Sequence, residues 1–157
     1  NFGWHVIVLD GIGFTAERQY IGEVDSEQLK WLREDLQKVN PATPIIVSTH
    51  IPLVSVGEQM WRGGTTPLLP GEVITNSRAV LDLFSGHKLK MVLQGHLHIV
   101  EEIIFKDTHY ITGGAVSGAW WKGARSGFPE GFVVVDIKKD ESFSWRYETF
   151  GWQAVAE

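Results

Sequence analysis

The sequence predicts an α/β domain with a parallel first half and an antiparallel second half. Two observations predict it. Three short apolar runs, at residues 6–9, 44–47 and 89–93, alternate with two helical stripes, and that β-α-β-α-β order argues parallel pairing. After residue 99 the helical stripes stop, and four strand-like runs follow one another with turn residues between them.

His5-Val6-Ile7-Val8-Leu9-Asp10 is β-branched and apolar, and it reads as a buried strand ending in a carboxylate. Gly11-Ile12-Gly13 is expected to form a loop. Asp25 or Ser26 can cap a helix with Glu27 and Gln28 in its first turn. Leu29, Leu32, Leu36 and Val39 give that helix one apolar stripe, while Lys30, Arg33, Glu34 and Lys38 stay wet. Asn40-Pro41 stops it. Residues 44–50 form a second buried strand ending at His50. Residues 51–75 read as a long irregular stretch, and stretches of that length are usually functional. Asn76 is expected to cap a shorter helix, with Val80, Leu83 and Phe84 inward and Gly86 as its C-terminal turn. Residues 89–93 form the third strand and run into Gln94-Gly95-His96-Leu97-His98. Strands at 100–105, 110–112, 132–137 and 144–149 follow, with turns at Lys106-Asp107 and Lys139-Asp140-Glu141. Between the second and third of these lies a Gly-rich loop, 113–130, holding Trp120 and Trp121.

A chain of 157 residues with 43% hydrophobic and 21% charged residues can bury a real core as one domain. No apolar run reaches the roughly 18 residues of a membrane helix, so no membrane span is expected. The net charge of -5, from 19 acidic and 14 basic residues, argues against a nucleic-acid platform, which needs clustered cations. The chain has no cysteine, which excludes disulfides, thiolate zinc sites and cysteine nucleophiles. It opens on Asn1 and enters a strand at once, so it is expected to be a fragment or processed product.

The three parallel strands end at Asp10, at His50 and at the segment 96–98, so three of the six histidines reach one rim of the sheet, where ligands bind in open α/β folds. In extended geometry His96 and His98 place both rings on one face, roughly 6.6 Å apart. That spacing suits two ions about 3.5–4 Å apart, each taking one of the pair.

Ser48-Thr49-His50-Ile51-Pro52 followed by Gly95-His96-Leu97-His98 resembles the last two motifs of the calcineurin-like metallophosphoesterases, and Tyr110-Ile111-Thr112-Gly113-Gly114 sits where that family has a strand and glycine turn. The resemblance implies a layered β-sandwich flanked by helices, a dinuclear centre of Mn, Fe or Zn, and hydrolysis of a phosphoester substrate. It implies that His50 and His96 bind one ion and His98 the other. The earlier motifs of the family, Asp-x-His, Gly-Asp and Gly-Asn-His, do not occur in their order. Residues 1–157 therefore look like the C-terminal part of such a domain, inactive in isolation. Asp107-Thr108-His109 spells Asp-x-His, but it follows the Gly-His-x-His motif and lies at a hairpin turn. A non-catalytic binding module that keeps the fold is the alternative.

Other features read as follows. Gly11-Ile12-Gly13-Phe14-Thr15-Ala16 spells a dinucleotide fingerprint without the helix it needs. Asp10 is expected to hold a turn through its own backbone amides. His5 is expected to be structural, His87 to sit past a helix C-terminus where the dipole favours a cation, and His109 to face water. Trp120, Trp121 and Lys122, with Arg125, are expected either to wall a substrate or to plug the end of the sandwich, and Trp61 and Arg62 share that ambiguity. The three parallel strands are apolar on both faces, so an uncovered edge is expected to drive self-association.

Overall fold

The computed structural model describes residues 3–155. The chain runs β1 (His5–Leu9), β2 (Ile12–Phe14), β3 (Tyr20–Gly22), α1 (Ser26–Leu36), β4 (Pro44–Thr49), α2 (Gly57–Arg62), α3 (Ser77–Leu83), β5 (Lys88–Gln94), β6 (Val100–Phe105), β7 (Thr108–Gly113), β8 (Gly131–Ile137) and β9 (Phe143–Thr149). Five strands form a central mixed sheet in the order β1-β4-β5-β7-β6, in which the first four are parallel and β6 is antiparallel to β7.

The parallel pairing of β1, β4 and β5 is as the alternating pattern predicts. The partner of β5 is β7, because the chain leaves β5, crosses the end of β7 and returns through the hairpin at Lys106-Asp107. Composition explains which hairpin strand sits inside. Tyr110, Ile111 and Thr112 of β7 are all buried, whereas exposed Glu102, Ile104 and Phe105 make β6 a wet edge.

Helices cover one face. Leu32 and Leu36 of α1, with Val80 and Phe84 at α3, pack on Ile7, Leu9, Ile45, Val47 and Val92. Asp25 caps α1, its Oδ1 accepting from Gln28 N at 2.7 Å. The Gln28 side chain does not close a capping box. It brackets Asp10 instead, accepting from its N–H and donating to its carbonyl, both at 2.7 Å. His5 Nε2 meets Asp35 Oδ2 at 2.7 Å, so both ends of β1 are tied to α1 and His5 is structural.

The β8–β9 ribbon covers the other face. Val133, Val135, Ile137, Phe143 and Trp145 pack on Trp4, Ile46, Met91 and Ile111. Truncating a fully buried residue such as Ile111 to Ala would cost about 2–5 kcal/mol. The layers are those the resemblance implies, with the second β layer a two-stranded ribbon. The ribbon leaves β1 uncovered on this side, where Val6 and Val8 are 59% and 70% exposed. This is the uncovered apolar edge expected of strands that are apolar on both faces.

Three local expectations change. Gly11-Ile12-Gly13 is not a loop: residues 12–14 pair with 20–22 as a hairpin, and the fingerprint has no helix to open. The stretch 51–75 contains α2, braced by Arg62 Nε on Glu58 Oε2 at 2.9 Å. Asn76 precedes α3 but does not cap it, because its amide makes two bonds to the backbone of Val24. No described helix is long and apolar enough to cross a membrane.

Candidate functional site

Parallel pairing carries the ends of β4 and β5 to one pole of the sheet. His50 follows the last residue of β4, and Gly95 N donates to His50 O at 2.9 Å, joining the two strand ends. Just beyond, His96 Nδ1 faces His50 Nε2 at 3.3 Å, with the rings edge to face and their centroids 5.2 Å apart. The other nitrogen of His96, Nε2, lies 3.4 Å from the Tyr20 hydroxyl. A neutral imidazole carries one N–H. With that proton on Nε2, towards Tyr20, Nδ1 presents its lone pair towards His50.

The expectation of extended backbone through His96 and His98 does not hold. Leu97 N donates to Gly95 O at 2.8 Å across His96, whose φ is +71°. That is a γ-turn of the rarer, strained hand. His98 is also left-handed, at φ +58°. Histidine is among the residues enriched in that region, and each such position costs on the order of 1–3 kcal/mol. The cause is topological, since the chain must turn here to cross β7. Strained backbone held in place by its surroundings concentrates at functional sites.

His98 is not gathered with the other two. Its Nδ1 donates to Gly118 O at 2.5 Å, which leaves the lone pair on Nε2. Its ring packs on Trp120 at 4.8 Å, and the Arg125 guanidinium lies 5.3 Å from the Trp120 centroid. His96, His98, Trp61, Arg62, Glu72, Trp120 and Arg125 line one cleft of about 430 Å3. His50 lines an adjoining groove with Thr49 and Gly114. Burial lowers the pKa of His96, and the nearby charges of His50 and His98 lower it further, so the ring is held neutral, the form that binds metals. Burial raises the pKa of Tyr20.

The remaining sequence candidates separate. Trp121 packs edge to face on Trp152 at 5.3 Å, and neither it nor Lys122 lines the cleft. Asp10 Oδ1 accepts from Ile12 N at 3.1 Å, the turn-holding role expected of it. His109 does not face water. It is half-buried beneath the ribbon, with Nδ1 2.8 Å from Glu102 Oε1 and its ring on Phe143. It is the second residue of β7, so Asp107-Thr108-His109 lies at the pole opposite His96. His87 is half-buried just past α3, and its Nδ1 is buried without a partner among the described residues.

Two residues escape sequence reasoning. Tyr20 reaches His96 from a hairpin whose partner strand reads as loop. Gln94, 5% exposed, accepts from Leu53 N at 3.1 Å and donates to Val54 O and to Thr112 Oγ1, locking the loop after β4 to the ends of β5 and β7. A glutamine closing an apolar strand is its one visible signal. Among the described residues no group of three or more His, Cys, Asp or Glu side chains is placed to hold one ion.

No family model matches the chain, and no curated protein matches it. Among solved structures, a single-substitution variant of Vps29 from Entamoeba histolytica aligns with 93% of this chain and 99% of that one, at 12% identity and a TM-score of 0.30.

Proposed function

We propose that the chain supplies the imidazole part of a dinuclear metal site in a phosphoester hydrolase. The observation that supports this reading is the approach of His50 Nε2 and His96 Nδ1 to 3.3 Å. Two imidazole nitrogens at about 2.0–2.1 Å from one tetrahedral ion stand about 3.3 Å apart, so the pair fits an ion with little movement. In this reading His50 and His96 hold one ion and His98, its tautomer set by Gly118, holds the other. Imidazole ligands suit Mn, Fe or Zn. The reading needs carboxylate ligands in addition, which do not gather at the histidines among the described residues. When bound, such ions acidify a water and offset the charge of the phosphoryl group. The chain's own part is to orient the substrate. Arg125, held over Trp120 in the cleft wall, would meet the phosphoryl oxygens, and half-exposed Trp61 and Trp120 offer flat apolar faces to the rest of the substrate. Trp120 and Arg125 thus replace Trp121 and Lys122 as the substrate face.

Titration with Zn2+ by calorimetry tests the site. His96→Ala should weaken binding by at least about tenfold, one lost ligand, while His109→Ala should leave it unchanged. Equal effects at the two positions would sink the assignment.

A second reading, a binding module without catalysis, is supported by the lack of a three-ligand cluster among the described residues. Turnover separates the two readings. Metal-dependent hydrolysis by the chain joined to a carboxylate-bearing partner segment, lost with His96→Ala, would exclude the module.

A further inference from the structure

The opposite pole of the sheet holds a cavity of about 460 Å3, within the range of small-molecule pockets. Parallel pairing brings the starts of β5 and β7 together there, and Thr108 Oγ1 donates to Leu89 O at 2.8 Å to close them. The end of β6 and the last turn of α3 complete the walls. Phe84, Leu89 and Tyr110 contribute apolar surface, and exposed Phe105 lies at the rim.

Polar groups without partners gather around this cavity. Tyr110 is only 5% exposed, yet its hydroxyl makes no hydrogen bond among the described residues, and burial alone raises its pKa. That leaves the hydroxyl free to donate to a ligand oxygen. His87 lines the cavity, and its Nδ1 is also unpartnered. Lys106 stands in left-handed backbone at φ +53°, its ammonium 5.8 Å from the Phe105 centroid, with no ion pair among the described residues. Arg78, by contrast, is spent on Asp82 at 2.8 Å. The pair cancels, so Lys106 sets the sign of the cavity.

We propose that this cavity binds a small aromatic carboxylate, its ring against Phe84 and Phe105 and its anionic oxygens held by Lys106 and the Tyr110 hydroxyl. The site is independent of the histidine cluster, because it lies at the other end of β5 and shares no residue with it.

Three isosteric probes test it by calorimetry: 3-phenylpropionate, 3-phenylpropanol and 3-phenylpropylamine. The carboxylate should bind saturably with a Kd on the order of 0.1–1 mM, more tightly than the alcohol, and the amine weakest. Lys106→Gln and Tyr110→Phe should each weaken the carboxylate by about threefold or more, at unchanged Tm, and His96→Ala should not. Tyr110→Phe keeps the packing and removes only the donor, so its effect reads the hydroxyl and not the fold. Equal binding of alcohol and carboxylate, no saturation by about 10 mM, or loss of binding in His96→Ala would each overturn the proposal.

Discussion

His98 and Gly118 are joined by one hydrogen bond, Nδ1–H to carbonyl at 2.5 Å, and that bond makes the Gly-rich loop part of the histidine site. Gly118 has φ +51°, and a Cβ there would stand 2.6 Å from Gly123 O and 2.7 Å from Glu130 Oε1. Glu130 is buried, with its Oε1 unpartnered among the described residues, and the Gly123 carbonyl is backbone and cannot swing aside. Gly118→Ala should therefore cost about 1–2 kcal/mol for the left-handed backbone alone, and more for the contact with a carbonyl. A fall in Tm of at least about 3 °C is expected, with Trp fluorescence changing as Trp120 leaves His98. An unchanged Tm would show that the loop does not hold His98.

The pH dependence follows from His96. Its pKa in the fold lies below the ordinary 6.5, first because it is partly buried and then because His50 and His98 stand nearby. The unfolded chain therefore binds its proton more readily, and folding favours the neutral ring. The stability this residue contributes is complete above about pH 6.5 and falls as the pH drops from there towards the lower folded value. An NMR titration of the metal-free chain should place the His96 midpoint below 6.5. A midpoint above it would mean that the Gly71 backbone and then the Glu72 carboxylate, which favour the charged ring, outweigh burial.

Much of this fold is legible because it is local. The runs at β1, β4 and β5 are β-branched, and α1 shows both its stripe and its cap at Asp25. Delivery of His50 and His96 to one pole follows from parallel pairing alone. What stays hidden depends on distant partners. That β7 lies inside β6 depends on which hairpin strand can be buried on both faces. The left-handed turns at His96 and His98 come from the crossing over β7, which no spacing encodes. Glu102 and Phe143 bury His109 from other strands, and Tyr20 reaches His96 across 76 residues.

The isolated chain should not turn over a phosphodiester. Two dications about 4 Å apart repel by on the order of 15 kcal/mol at an effective dielectric near 20. Bridging carboxylates must offset that, and no group of three or more ligand side chains gathers at the histidines among the described residues. With bis-p-nitrophenyl phosphate and Mn2+, the rate should match that of buffer with metal. Turnover abolished by His96→Ala would show that the chain holds a complete site.

The β1 edge bears on association. Nothing among the described residues pairs with its outer side, so a row of N–H and C=O groups faces solvent. Val6 and Val8 add an apolar strip on the face the ribbon does not reach. An edge strand of five residues is self-complementary about a twofold axis, since two antiparallel copies pair the same groups. The expected occupant is therefore β1 of a second copy, forming a continuous sheet across the dimer. Light scattering at micromolar concentration should give twice the monomer mass. Val6→Lys with Val8→Lys should return a monomer, because charges facing one another across the new pair repel and solvate the strip. Both substituted side chains lie on the exposed face, so the helix-side core beneath Ile7 and Leu9 stays intact and the monomer should unfold with a sharp transition. A wild-type chain that is already monomeric, binds no hydrophobic dye and unfolds sharply would mean that Val6 and Val8 are tolerated surface residues and that β1 ends the sheet in solution.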